Sequence, residues 1–127
     1  MIQRVPTVAG VPKPQASYST YTRFGDLIFV AGQVAVEPET GRIPSSFREQ
    51  LRLVLNQIQK ILESAGSSMD QVLKMTTFLK DRSYRIEYDE IFKTYFKQGF
   101  PARSTIVADL MGEDFLVEIE AIAAVPR

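Results

Sequence analysis

Between Ser46 and Gly66 the apolar residues recur at one helical spacing. Phe47, Leu51, Val54, Leu55, Ile58, Ile61, Leu62 and Ala65 follow the i, i+4, i+7, i+8 rule. This gathers them on a single face and leaves Arg52, Asn56, Gln59, Lys60 and Glu63 on the other, so the helix must lie against a second layer. Ser46 with Glu49 three residues on is a capping-box signature, and Gly66 supplies a left-handed stop.

The segments around this helix read mostly as strands. Pro6, Pro12 and Pro14 make residues 1–17 an extended lead-in, with regular structure expected from near Tyr18. Gly25-Asp26 separates the β-prone stretch Tyr18 to Phe24 from Leu27-Ile28-Phe29-Val30-Ala31, as a tight hairpin requires. Gly32-Gln33 reads as a bulge, Val34-Ala35-Val36 as its continuation and Pro38 to Gly41 as a turn. Val72 to Lys80 is largely apolar on both faces, the pattern of a central strand. Tyr84, Tyr88, Ile91, Phe92, Tyr95 and Phe96 return to helical spacing and end at Gly99. Ala102 to Val107 and Phe115 to Val125 complete the chain as strands.

The predicted order is β-β-α-β-α-β-β. It describes one α+β domain over residues 1–127, a mixed β-sheet with two α-helices packed on one face. The other sheet face then needs a cover, for which a partner subunit is the natural choice in so small a domain.

Residue types that are missing narrow the chemistry. The chain has no cysteine and no histidine, which rules out serine–histidine triads, cysteine nucleophiles and histidine- or thiolate-based metal sites. An all-carboxylate magnesium or calcium site is left open by composition, but no Asp-rich loop has calcium-binding spacing, and no metal-ligating residue is expected. Fifteen Lys and Arg balance fifteen Asp and Glu, leaving no long-range positive field to attract nucleic acid. No apolar run suits a membrane span or signal peptide, and the lack of cysteine suits a reducing compartment, so a cytoplasmic location is expected.

Strand parity locates the remaining polar candidates. Arg103, Thr105 and Val107 point one way, and Ser104 and Ile106 the other. Val117, Ile119, Ala121 and Ala123 form a wholly apolar face that should meet the helices, so Glu118 and Glu120 point away from them. If the last two strands form a hairpin through Asp109 to Asp114, Arg103 lies level with Glu118 or with Glu120, on the face without helices. Pattern alone leaves two meanings open, a cross-strand ion pair or a site, and favours the ion pair. The aromatic stripe from Tyr84 to Phe96 reads as core rather than as a stacking platform for bases, and Arg82, Arg85, Lys93 and Lys97 as its solvated side.

Several segments resemble the reactive-intermediate deaminase (Rid) family, also described as L-PSP endoribonuclease-like. They are Gly32-Gln33 after an apolar strand, Pro38-Glu-Thr-Gly41, Gln50 and Asn56 on the long helix, Ala65-Gly66, Lys74-Met-Thr-Thr-Phe-Leu-Lys-Asp81, Phe100-Pro-Ala-Arg-Ser104 and Val117-Glu-Ile-Glu-Ala-Ile-Ala123. Together they run from about Tyr18 to Ala123. The resemblance implies a fold like that of Bacillus-type chorismate mutase, a homotrimer with clefts between subunits, and no cofactor. It also implies hydrolysis of enamines and imines such as 2-aminoacrylate or 2-iminobutanoate to 2-oxo acids and ammonia.

By the same resemblance, Arg103 would hold the substrate carboxylate with its two-pronged donor set, and Glu118 would position water and shuttle protons. Tyr18, Gly32 and Thr105 would line the pocket, Thr105 through its carbonyl. The chain departs from the family pattern at Ala31, where a serine is usual, at Asp89 for an asparagine and at Thr105 for a cysteine; Ala16-Ser17 replaces a Gly-Pro. If Asp89 faces the cleft, it opposes an anionic ligand or favours a cationic one. Glu120 suits a structural hydrogen bond or subunit contact as well as chemistry. Two further readings stand beside the deaminase: a non-catalytic trimer that binds small carboxylates as a regulator, and an endoribonuclease.

Overall fold

The computed structural model describes residues 1–127, in which six strands form one sheet. In chain order the elements are β1 (Ile2–Val5), β2 (Tyr21–Phe24), β3 (Leu27–Val34), α1 (Phe47–Ser64), β4 (Val72–Leu79), α2 (Arg85–Phe92), β5 (Ala102–Val107) and β6 (Val117–Ala124). The spatial order is β1-β2-β3-β6-β4-β5, with every pair antiparallel except β4 and β5. The mixed sheet with both helices on one face is the architecture the sequence predicts. No helix is long and apolar enough to cross a membrane.

Local chemistry explains the elements. Ser46 Oγ accepts from the Glu49 backbone N–H at 3.1 Å and caps α1. The helix ends in a Schellman arrangement, Ser67 N–H to Leu62 carbonyl at 2.8 Å and Gly66 N–H to Glu63 carbonyl at 3.1 Å, with Gly66 at φ +82°. The β2–β3 hairpin turns through Gly25 and Asp26, where Gly25 takes φ +61° and Phe24 pairs with Leu27. The helices cover Ile28 and Val30 of β3, Met75, Thr77 and Leu79 of β4, and Val117, Ile119, Ala121 and Ala123 of β6. All of these are buried.

Three expectations are corrected. Regular structure begins at Ile2 rather than near Tyr18, because Ile2–Val5 precedes the first proline and pairs along the open edge of β2. The second helix is shorter than its periodicity suggests. Its α-helical part is Arg85–Phe92, flanked by 3₁₀ turns at 82–84 and 93–95. Most consequential, β5 and β6 are not a hairpin. The crossover through α2 lays β5 parallel to β4 at the sheet edge, and β6 inserts between β3 and β4. Every residue of β5 is exposed, whereas β6 buries its whole apolar face and so needs neighbours on both sides.

The second sheet face carries no helix. Phe24, Leu27, Phe29 and Ile106 are exposed there among Glu118 and Glu120.

Candidate functional site

β5 and α2 set the surroundings of Arg103. In register, Arg103 is level with Met75 on β4, which is level with Ala121 on β6, so its side chain rises on the helix side of the sheet. There the guanidinium carbon lies 4.9 Å from the ring centre of Tyr88 and 4.7 Å from that of Phe92. Both rings are buried, which gives the cation a fixed aromatic floor. Tyr88 is itself held by a 2.5 Å hydrogen bond between its hydroxyl and that of Thr77. Burial pushes the Tyr88 phenol pKa up, opposed by the Thr77 hydrogen bond and by the charge of Arg103.

Arg103 Nη1 donates to Asp89 Oδ1 at 3.0 Å. Beside this pair opens a hollow of about 320 Å³ lined by Asp89, Phe92, Lys93, Phe100, Pro101 and Arg103. Asp89, Phe92 and Lys93 stand at i, i+3 and i+4, so one face of the α2 region supplies half the lining. Thr105 follows Arg103 on the same side, level with Thr77.

A second cluster lies two strands away. At the β3 bulge the register with β6 shifts between Val30 and Gln33, and the backbone of Gly32 comes close beneath Glu118. A Cβ on Gly32 would sit 2.2 Å from Glu118 Oε2, so any larger residue there would force the carboxyl to move. The Glu118 carboxyl is half-buried, and its pKa is raised by desolvation and, second, by the like charge of Glu120. Ala31 is tied to the segment carrying Tyr18 through its N–H, which donates to the Thr20 carbonyl at 3.0 Å. Tyr18 is exposed. No group of three or more carboxylates converges closely enough to hold a metal ion.

The candidates therefore form two groups rather than one. Arg103, Asp89 and Thr105 belong to β5 and α2; Glu118, Gly32, Ala31 and Tyr18 belong to β6, β3 and the segment before β2. The expectation that Arg103 stands level with Glu118 or Glu120 on the uncovered face is overturned. Glu118 is level with Phe78 and Ile106, three residues along the strands and two strands across from Arg103, on the opposite face. That is roughly 10 Å in each direction. Arg103 does meet a carboxylate, but it is Asp89.

Two features escaped the sequence reading. Tyr88 and Phe92 are core, as their spacing predicts, yet they also seat the arginine. Gln57 is buried and donates to Gln33 Oε1 at 3.1 Å and to the Val34 carbonyl at 3.0 Å, while Gln33 Nε2 reaches the Ala31 carbonyl at 3.2 Å. These amides hold the bulge that carries Gly32. The available signal was a glutamine at an apolar helix position, three residues after Val54 and four before Ile61.

Sheet, one-sided helical layer and two separated polar clusters describe a small α+β protein with one cluster on the edge strand β5 and the other on the interior strands β3 and β6. The chain belongs to the family described as Endoribonuclease L-PSP, whose model matches residues 9–125. It is 41% identical over 113 residues to a RutC family protein of Pyrococcus abyssi, covering 88% of this chain and 89% of that one. It is 35% identical over 102 residues to TdcF of Escherichia coli, provisionally named a reactive intermediate deaminase, covering 78% and 79%. The crystal structure of E. coli TdcF with bound serine superposes with a TM-score of 0.90 at 30% identity, covering 96% of this chain and 98% of that one.

Proposed function

We propose that this protein is a cofactor-independent deaminase that hydrolyses 2-imino acids to 2-oxo acids and ammonia. The observation that carries the reading is Arg103, seated on Tyr88 and Phe92 at the rim of a hollow, with Asp89 as its one side-chain hydrogen-bond acceptor in the chain. The guanidinium edge formed by Nε and Nη2 is left for a carboxylate. Related structures lend support, since TdcF was crystallised with serine, itself a small 2-substituted acid.

In this reading a ligand carboxylate docks on Arg103 and presents its C=N carbon to water. Glu118 accepts a proton from that water as its oxygen bonds to the carbon, giving a carbinolamine. Glu118 then hands that proton to the nitrogen and takes the hydroxyl proton as the C–N bond breaks, releasing ammonia and leaving the 2-oxo acid. Such a substrate is already electrophilic, so positioning supplies much of the required catalysis. The raised pKa of Glu118 suits a group that both takes and returns a proton.

Arg103 and Glu118 of one chain do not share a cleft, so the reading requires two copies, with Arg103, Asp89 and Thr105 of one facing Tyr18, Ala31, Gly32 and Glu118 of another. A homotrimer in which the exposed edge strand β5 of one copy meets the uncovered sheet face of the next would satisfy this, and we place it in the cytoplasm. The test is competition for an imine generated by an amino-acid oxidase in the presence of semicarbazide. Wild type should lower semicarbazone formation and Arg103→Ala should not; indistinguishable behaviour across several imino acids rejects the proposal.

The Asp89–Arg103 pair favours a second reading, a trimer that binds small carboxylates without turnover. Calorimetric binding of 2-oxo acids without imine hydrolysis would select it. An RNA substrate suits the chain less well, because its fifteen cationic side chains are balanced by fifteen anionic ones and it has no histidine.

A further inference from the structure

We infer that Asp89 makes the Arg103 hollow selective for acids bearing a cationic nitrogen beside the carboxylate, the 2-iminium and 2-ammonium acids, over 2-oxo acid anions of the same skeleton. The inference rests on the reading of Arg103 as carboxylate anchor and extends it to the charge state of what is anchored.

The geometry is that of a shared guanidinium. Asp89 Oδ1 takes a hydrogen bond from Nη1 at 3.0 Å, and no other side chain in the protein bonds to Arg103. A ligand carboxylate on the remaining edge would share one cation with Asp89 and face it as a like charge a few Å away. The Asp89 side chain is 60% exposed and lines the hollow, so it is open to a ligand as well as to Arg103. An acid with a protonated nitrogen on its second carbon turns that repulsion into attraction, because the nitrogen can donate to Asp89 while the carboxylate holds Arg103.

Lys93 keeps the arrangement from rejecting acids altogether. With Lys93 and Arg103 positive and Asp89 negative, the lining retains a net positive charge, so carboxylates still enter and Asp89 discriminates among them. Phe92, Phe100 and Pro101 supply apolar wall for a short aliphatic chain, which both members of an amino/oxo pair fill equally. The difference between them reduces to the nitrogen. In a hydrolytic cycle this sign is productive: the iminium substrate is held, and the anion left after its nitrogen departs is held less well.

The test is calorimetric titration of wild type, Asp89→Asn and Arg103→Ala with L-2-aminobutyrate and 2-oxobutanoate at pH 7. Asparagine keeps the shape and a hydrogen-bonding oxygen but removes the charge. The ratio of affinities, amino over oxo acid, should fall about fivefold in Asp89→Asn, the upper range for a partly exposed charge. An unchanged ratio, with binding of both ligands lost in Arg103→Ala, overturns the inference and leaves the anchor reading standing. Binding of both ligands by Arg103→Ala as by wild type, or by neither wild type nor Asp89→Asn, overturns the anchor reading and the inference together.

Discussion

At the scale of single residues, Arg103 shows how a side chain is assigned by what it rests on. Its planar cation lies over two buried rings and keeps a two-pronged edge, an arrangement a lysine ammonium cannot reproduce. Arg103→Lys should therefore behave like Arg103→Ala. Each should lose about 3 kcal/mol of transition-state binding, a roughly 100-fold fall in kcat/KM for imine hydrolysis measured in the semicarbazide assay. Glu118 carries a pH signature. Its folded-state pKa is raised by burial and by Glu120, so the native state binds a proton more readily than the unfolded chain does. The ionised form thus weakens the fold above the raised pKa, and this penalty fades as pH falls through it. Glu118→Gln should raise Tm at neutral pH, with the gap to wild type closing on acidification in a pH series of thermal melts. Glu120→Gln removes the like charge and should move the ascending limb of the kcat/KM profile to lower pH. Both roles depend on which groups face the side chain. Parity of β5 and β6 was legible from Val117, Ile119, Ala121 and Ala123, but the partner of Arg103 was not, because Asp89 lies fourteen residues away on a different element.

At the scale of elements, the β3 bulge carries the second cluster. A methyl group at Gly32 would meet Glu118 Oε2, so Gly32→Ala should destabilise by about 1–3 kcal/mol, and Glu118→Ala should relieve most of that loss. A double-mutant cycle by urea denaturation measures the coupling, and additive effects would contradict the close approach. Gln57→Leu would strip donors from Gln33 Oε1 and the Val34 carbonyl, at a cost of about 1–3 kcal/mol in the same assay. The bulge itself was readable as Gly-Gln after an apolar strand, and α1 as a one-sided helix with a Ser46 cap. The hairpin expectation for β5 and β6 failed for a physical reason. Sequence neighbours with a short connection pair often, but the parallel crossover through α2 lays β5 along the outer edge of β4 and leaves the inner edge to β6. The polar run Arg103-Ser104-Thr105 was the cue to an edge strand, set against the clean apolar face of β6.

At the scale of the whole molecule, one sheet face is packed by helices and the other exposes Phe24, Leu27, Phe29 and Ile106. If copies assemble through this face, the mass in solution should be three times 14.3 kDa by light scattering. Ile106→Asp should shift it toward the single-chain mass and reduce imine hydrolysis with it; a fully active species of single-chain mass would refute the shared-cleft arrangement. The uncovered face was legible in the sequence from the apolar load of β4 and from helices numerous enough for only one side. The separation of the two polar clusters was not, since it follows from the placement of β6. That placement also sets an order of events during synthesis. β6 is last of the strands along the chain yet lies between β3 and β4. Until it emerges from the ribosome, β3 and β4 each lack the neighbour that satisfies one row of their backbone groups, so the sheet cannot close. The joint that closes the sheet also carries Glu118, so the step that completes the fold is the one that delivers the acid.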